Sequence, residues 1–140
     1  MKILLVDDDR AALYALSEML SDLPAELVLA ESGEDALRQI LKQEFALILL
    51  DVRLPKMDGF EVAAAIRSLE RLRRIPIVFM SANEDRRKQP RPGTPEIYFR
   101  KPLAPDLVRS TIISILANGA PPAPRPGAVD LQRPAMQNQA

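Results

Sequence analysis

Apolar residues gather into five short unbroken runs: Ile3–Val6, Leu27–Ala30, Phe45–Leu50, Ile75–Met80 and Ile97–Phe99. Runs of this length without polar alternation suit strands covered on both faces, as in a parallel sheet. Between them the spacing changes to that of helices. Leu13, Leu16 and Leu20 form one apolar face after Asp9, a residue suited to cap a helix; Pro24 prevents continuation past about Ser21. Ser32-Gly33-Glu34-Asp35 opens a second helix with Leu37, Ile40 and Leu41 on its inner face, Ser32 and Asp35 standing at capping-box spacing. A third is predicted from Gly59 to about Leu69, with Val62, Ile66 and Leu69 inward. A last one starts at Pro105-Asp106 and presents Val108, Ile112 and Ile115 to about Ala117. Strands alternating with helices predict an α/β fold, a doubly wound five-stranded parallel sheet.

One crossover breaks the rhythm. The interval from Ser81 to Ile97 holds Glu84-Asp85-Arg86-Arg87-Lys88-Gln89-Pro90-Arg91-Pro92-Gly93-Thr94-Pro95, whose prolines and glycine cannot sustain a helix and which has no apolar face. The helix between strands four and five is therefore expected to be missing or much reduced, with at most a turn or two over Asn83 to Gln89. After residue 117 the composition shifts to Pro, Ala, Arg and Gln. Residues 1–117 are expected to form the domain and 118–140 a Pro-rich disordered tail or linker. Arg67, Arg71, Arg73 and Arg74 crowd the end of the third helix, where cations suit the helix dipole; they read as a solvated face rather than a binding patch. Met57 reads as core or loop filler.

Composition narrows the chemistry. The 140 residues carry 19 basic and 19 acidic side chains, so no overall charge draws the chain to nucleic acid or a membrane surface. With no cysteine and no histidine, disulfides, thiol catalysis, zinc-thiolate sites and histidine bases are excluded. The first apolar run meets acid at Asp7, too soon for a signal peptide, and no run reaches membrane-spanning length. A soluble cytoplasmic protein is expected.

What remains is a set of residues at the carboxyl ends of the strands, where open α/β sheets bind ligands. Strand one ends in Asp7 and Asp8, strand three in Asp51, strand four in Ser81 and strand five in Lys101. Converging carboxylates repel unless a cation lies between them, and oxygen-only ligands suit a hard ion, Mg²⁺ (or Mn²⁺). A carboxylate can attack phosphorus to give an aspartyl phosphate, a transfer that needs mainly positioning and charge neutralisation. After Asp51, Leu54-Pro55-Lys56-Met57-Asp58-Gly59 reads as a tight loop leading into the third helix.

These motifs together resemble the receiver domain of two-component response regulators, a CheY-like, flavodoxin-like fold. They are Ile3-Leu4-Leu5-Val6-Asp7-Asp8-Asp9, Leu49-Leu50-Asp51-Val52-Arg53-Leu54-Pro55-Lys56-Met57-Asp58-Gly59, Ser81-Ala82 and Tyr98-Phe99-Arg100-Lys101-Pro102. The resemblance implies that Asp51 is the phosphoacceptor and that Asp7 and Asp8 hold Mg²⁺ with it, aided by the backbone carbonyl of Arg53. It makes Ser81 the switch hydroxyl, Lys101 its ion-pairing partner, Tyr98 the switch aromatic and the Lys101–Pro102 bond cis. The donor would be a phosphohistidine on a sensor histidine kinase or a histidine phosphotransfer protein. The chain itself would be no enzyme beyond promoting its own phosphorylation and dephosphorylation, with no direct nucleic acid or membrane binding. Arg53 and Asn83, two positions after the acceptor and the hydroxyl, flank the path of a hydrolytic water and would modulate dephosphorylation.

Two departures qualify the resemblance: the Pro-rich loop stands where the family has a helix of its usual output surface, and Pro95-Glu96 replaces a customary Gly-Ala. The loop is expected to be mobile, with signalling through another face or by folding of this segment against a partner. Two other readings stay open: an interaction module independent of phosphate, and a haloacid-dehalogenase-like phosphatase with Asp7 as nucleophile. Against the latter stand Ala11 in place of Thr or Val, a short chain and no acidic pair after Lys101.

Overall fold

The structure, a computed structural model, describes residues 1–82 and 96–118. Five parallel strands, β1 (Lys2–Val6), β2 (Glu26–Ala30), β3 (Leu47–Asp51), β4 (Ile77–Ser81) and β5 (Glu96–Arg100), form one sheet in the order β2-β1-β3-β4-β5. Helices α1 (Arg10–Met19), α2 (Gly33–Lys42), α3 (Gly59–Arg67) and α4 (Pro105–Asn118) cover it, with a short 3₁₀ turn at Glu70–Leu72.

Strand side chains alternate faces, and here both faces are apolar. Leu4, Val6, Ile48, Leu50, Ile77 and Phe79 meet Ala36 and Ile40 of α2 and Val62 and Ile66 of α3. Ile3, Leu5, Leu47, Leu49, Val78 and Met80 meet Leu13 and Leu16 of α1 and Val108, Ile112 and Ile115 of α4. Each Val, Leu, Ile, Met or Phe side chain so removed from water contributes about 1.5–3 kcal/mol before entropy is counted. The edge strand β2 departs from the pattern: Leu29 is 44% exposed, because an edge strand is covered less than the strands inside the sheet.

The caps expected at Asp9 and Ser32 are present, and Asp58 adds a third. Asp9, Ser32 and Asp58 are the N-caps of α1, α2 and α3. Ser32 Oγ accepts from the Asp35 N–H at 3.0 Å, while the Asp35 carboxylate pairs with Arg38. Asp58 and Glu61 close a full capping box, each carboxylate accepting the other's backbone N–H at 2.9 Å. At Gly33 an added Cβ would lie 2.7 Å from Val62 Cγ2, so glycine is what lets α2 settle against α3.

Five expectations change. Leu41 is 67% exposed; the inner face of α2 is Gly33, Ala36 and Ile40, with Leu37 at its margin, since the helix packs on a narrow stripe. Strand β3 begins at Leu47, two residues later than the apolar run. Helix α3 ends at Arg67, and Leu69 packs on the core from the turn that follows. The arginines there are not all solvated. Arg67 Nη1 donates to the carbonyls of Leu72, Arg73 and Ile75, and Arg71 donates to that of Ile40, tying the turn to α2. Helix α4 runs through Asn118, one residue past the expected boundary. Asn83, the Pro-rich segment 84–95 and residues 119–140 lie outside the described residues, and with them the expectations about that loop, the missing crossover helix and the tail.

Candidate functional site

Sheet register builds the site. Val6 pairs with both Ala30 and Leu50, so the next residues along, Asp7 and Asp51, emerge side by side at the carboxyl edge. On the other side of β3, Asp51 pairs with Met80, and Ser81 pairs with Arg100, which brings Lys101 to the same edge. Backbone bonds fix each ending: the N–H of Asp7 donates to Ala30 O at 3.1 Å, Val52 to Met80 O at 2.9 Å and Lys101 to Ser81 O at 2.8 Å. The Lys101–Pro102 peptide is cis, as expected.

Asp7 and Asp51 are buried and Asp8 is exposed, yet one carboxylate oxygen of each lies within 4.8 Å of the others. Asp7 is held at both oxygens. Oδ1 accepts from the N–H of Asp9 at 3.0 Å, and Oδ2 from Lys101 Nζ at 2.9 Å. The same ammonium lies 3.5 Å from Asp51 Oδ2, while Asp51 Oδ1 accepts from the N–H of Arg53 at 3.3 Å.

Burial and the neighbouring charge of Asp7 push the Asp51 carboxyl up to about 6; the Lys101 charge and the Arg53 N–H offset part of this. Burial lowers the Lys101 ammonium's pKa, but its hydrogen bond to Asp7 and the charges of Asp51 and Asp7 more than compensate, leaving the ammonium held above its ordinary value. One cation therefore serves two buried anions, with a third carboxylate beside them. That arrangement is short of positive charge. The donors are hard oxygens, the charge deficit calls for a cation, and Asp8 faces water: the residues fit a divalent ion such as Mg²⁺.

The loop after β3 keeps the Asp51 backbone close to α3. Gly59 donates its N–H to Val52 O at 2.8 Å, and an added Cβ there would stand 2.4 Å from Asp51 O. Lys56, at the loop's tip, sits at φ 69°, a left-handed conformation unusual for a side chain with a Cβ.

Among the predicted site residues, the structure brings together Asp7, Asp8, Asp51 and Lys101, with buried Ser81 at the end of the adjoining strand. Arg53 is exposed and touches the site through its N–H. Tyr98 is half-buried one strand over, its ring centroid 5.0 Å from Phe79 and 6.1 Å from Phe60. Sequence reasoning overlooked Phe60, whose ring also lies 5.0 Å from Phe79 and links the start of α3 to Tyr98. Its place directly after Gly59 was the available signal. It also took Asp9 for a cap alone, although its N–H holds Asp7.

Fold and site define a class. The chain belongs to the response regulator receiver domains of two-component systems, whose family model matches residues 3–112. It is 34% identical over 113 residues to an uncharacterized 14.6 kDa protein of Leptolyngbya boryana, covering 78% of this chain and 86% of that protein. It is 32% identical to the sensor protein GacS of Pseudomonas syringae pv. syringae, over 86% of this chain and 14% of GacS. Among solved structures, it is similar to the receiver domain of the sensor histidine kinase PA1611 from Pseudomonas aeruginosa PAO1, which has a magnesium ion coordinated in its active site cleft. The TM-score is 0.75 at 30% identity, covering 83% of this chain and 97% of that one. Chemotaxis protein CheY4 of Vibrio cholerae gives 0.73 at 28% identity, over 81% and 97%. The chain spans 14%, 36% and 53% of the length of the first curated relatives it matches. Among the described residues no helix is long and apolar enough to cross a membrane.

Proposed function

We propose that this receiver accepts a phosphoryl group on Asp51 from a phosphohistidine of a sensor histidine kinase or phosphotransfer protein, in a Mg²⁺-dependent reaction, and thereby changes an interaction surface. The observation that carries the reading is the shared ammonium. Lys101 lies between Asp7 and Asp51 with one carboxylate oxygen of each of Asp7, Asp8 and Asp51 within 4.8 Å of the others, an anionic edge built to be completed by a cation.

In this reading the Asp51 carboxylate attacks phosphorus, the new O–P bond forms as the P–N bond to the donor imidazole breaks, and the imidazole leaves with the electron pair. Asp7, Asp8, Asp51 and the Arg53 carbonyl would hold the divalent ion, which when bound supplies charge neutralisation for the oxygens of the transferring group. Lys101 sets its ammonium against the same oxygens, and Asp7 and the bond to Ser81 O keep it in place. The Ser81 hydroxyl, at the edge of the neighbouring strand, turns toward the phosphoryl group, and Tyr98 follows it inward along the Phe79 ring. Water then attacks phosphorus, the O–P bond breaks with its electron pair returning to the Asp51 carboxylate, and inorganic phosphate leaves, so the chain acts as acceptor and not as an enzyme on a second molecule. A phosphatase using Asp7 as nucleophile fits poorly, because Ala11 stands where Thr or Val is needed and no acidic pair follows Lys101.

The test is chemical. After incubation with a small acyl phosphate and Mg²⁺, borohydride reduction and peptide mapping should convert Asp51 alone to homoserine. Reduction at Asp7 would point to the phosphatase reading, and none at any aspartate would refute the acceptor role.

A further inference from the structure

The proposed metal site has a positioning residue outside its ligand set. We infer that Asp9 holds Asp7 in its ligating orientation, by using its side chain as a helix cap and its own N–H as the donor to Asp7. The inference rests on the Mg²⁺ reading above and extends it to a residue that reading does not use.

Asp9 has two jobs in opposite directions. Its Oδ1 accepts from the N–H groups of Ala11 at 2.9 Å and Ala12 at 3.4 Å, and its carbonyl accepts from Leu13 at 3.0 Å, which together start α1. Capping fixes the backbone at Asp9 in the extended region, φ −97° and ψ 110°. In that conformation its N–H points back to Asp7 Oδ1 at 3.0 Å. Lys101 already occupies Asp7 Oδ2, so the Asp9 N–H sets how the plane of this buried carboxylate stands toward Asp8 and Asp51. Arg10 Nε pairs at 3.1 Å with Glu31, the residue that follows β2, in an exposed ion pair beside the same segment. Take away the cap and the first turn of α1 frays, the N–H swings away and Asp7 loses one of its two tethers.

Donors that orient ligands tune affinity as strongly as many ligands do. Losing one typically weakens metal binding by about tenfold or more. The Asp9 carboxylate itself is exposed and occupied by the cap, so its charge contributes little to the ion.

The 140-residue chain, unphosphorylated, should be titrated with Mg²⁺ by calorimetry as wild type, Asp9→Ala, Asp9→Asn and Asp9→Ser, with urea unfolding of each in EDTA. Asparagine and serine both cap helices but lack the charge. The expected result is Mg²⁺ binding weakened about tenfold in Asp9→Ala and restored to within about twofold in Asp9→Asn and Asp9→Ser. Equal weakening in all three would mean that the charge of Asp9 acts and the cap does not, overturning the inference. Unaltered affinity in Asp9→Ala, whether or not its stability falls, would overturn it too, with the proposed metal site left standing. A wild-type chain that binds no Mg²⁺ would overturn the proposed metal site itself, and the inference with it.

Discussion

Replacing Asp51 by asparagine should make the metal-free protein more stable near neutral pH, although it removes the proposed acceptor. The carboxyl is pushed from 3.8 to about 6 by burial and by Asp7. A shift of that size corresponds to about 3 kcal/mol, since each unit is about 1.4 kcal/mol. The sign follows from which state holds the proton. Between the unfolded and folded values the native state binds more protons, so stability falls as pH rises through that window and the penalty is complete above the folded value. Asparagine has no charge to desolvate. Its Oδ1 can keep the bond from the Arg53 N–H, but its amide then faces the Lys101 ammonium, which forfeits part of the gain. The net expectation is a stabilisation of about 1–3 kcal/mol above about pH 7 that vanishes below about pH 4. Urea unfolding in EDTA across that range, for both proteins, measures it. Saturating Mg²⁺ should then raise the wild type more than the variant, because only the wild type offers all three carboxylates. Equal stabilities at neutral pH, or a difference that ignores pH, would show that Asp51 is not strained by its surroundings and refute the electrostatic account of the site.

Three further outcomes are expected. Gly59→Ala should destabilise the fold by about 1–3 kcal/mol in urea unfolding, because the new methyl would meet the Asp51 carbonyl and the Val52 backbone, neither of which can yield easily; wild-type stability would show that the loop moves freely. Lys56→Gly should stabilise by about 0.5 kcal/mol, relief of the left-handed strain outweighing the added unfolded-state freedom, whereas Lys56→Val should be less stable than wild type. Arg53→Ala should change the lifetime of the aspartyl phosphate, followed by the decay of the phosphorylated mass, since the residue is exposed two positions after the proposed acceptor; an unchanged lifetime would remove its side chain from the mechanism.

The sheet and most of the site were legible because both rest on local patterns. Unbroken apolar runs ending in Asp7, Asp51, Ser81 and Lys101 specify buried parallel strands and, through register, which residues share an edge. Caps were equally plain at Asp9 and Ser32, whereas Asp58, read only as part of a tight loop, also caps α3. What escaped depends on three-dimensional neighbours. Leu41 satisfies helical spacing yet is exposed, because α2 packs on the narrow stripe of Gly33, Ala36 and Ile40. The carbonyl bonds of Arg67 and Arg71 need the 3₁₀ turn after α3, which no periodicity announces. The second role of Asp9 is a backbone bond, and an amide N–H carries no signature in the side-chain sequence. The ring contacts from Phe60 through Phe79 to Tyr98 join three elements distant in the chain.

The central claim, a phosphoacceptor at Asp51 that depends on a divalent cation, is tested most directly by intact mass. Wild type and Asp51→Asn should be incubated with a small acyl phosphate, each with Mg²⁺ and with EDTA. A gain of one phosphoryl group in the wild type with Mg²⁺, and in none of the other three samples, is the predicted result. A folded wild type that gains nothing, or an Asp51→Asn protein that gains as much, would contradict it.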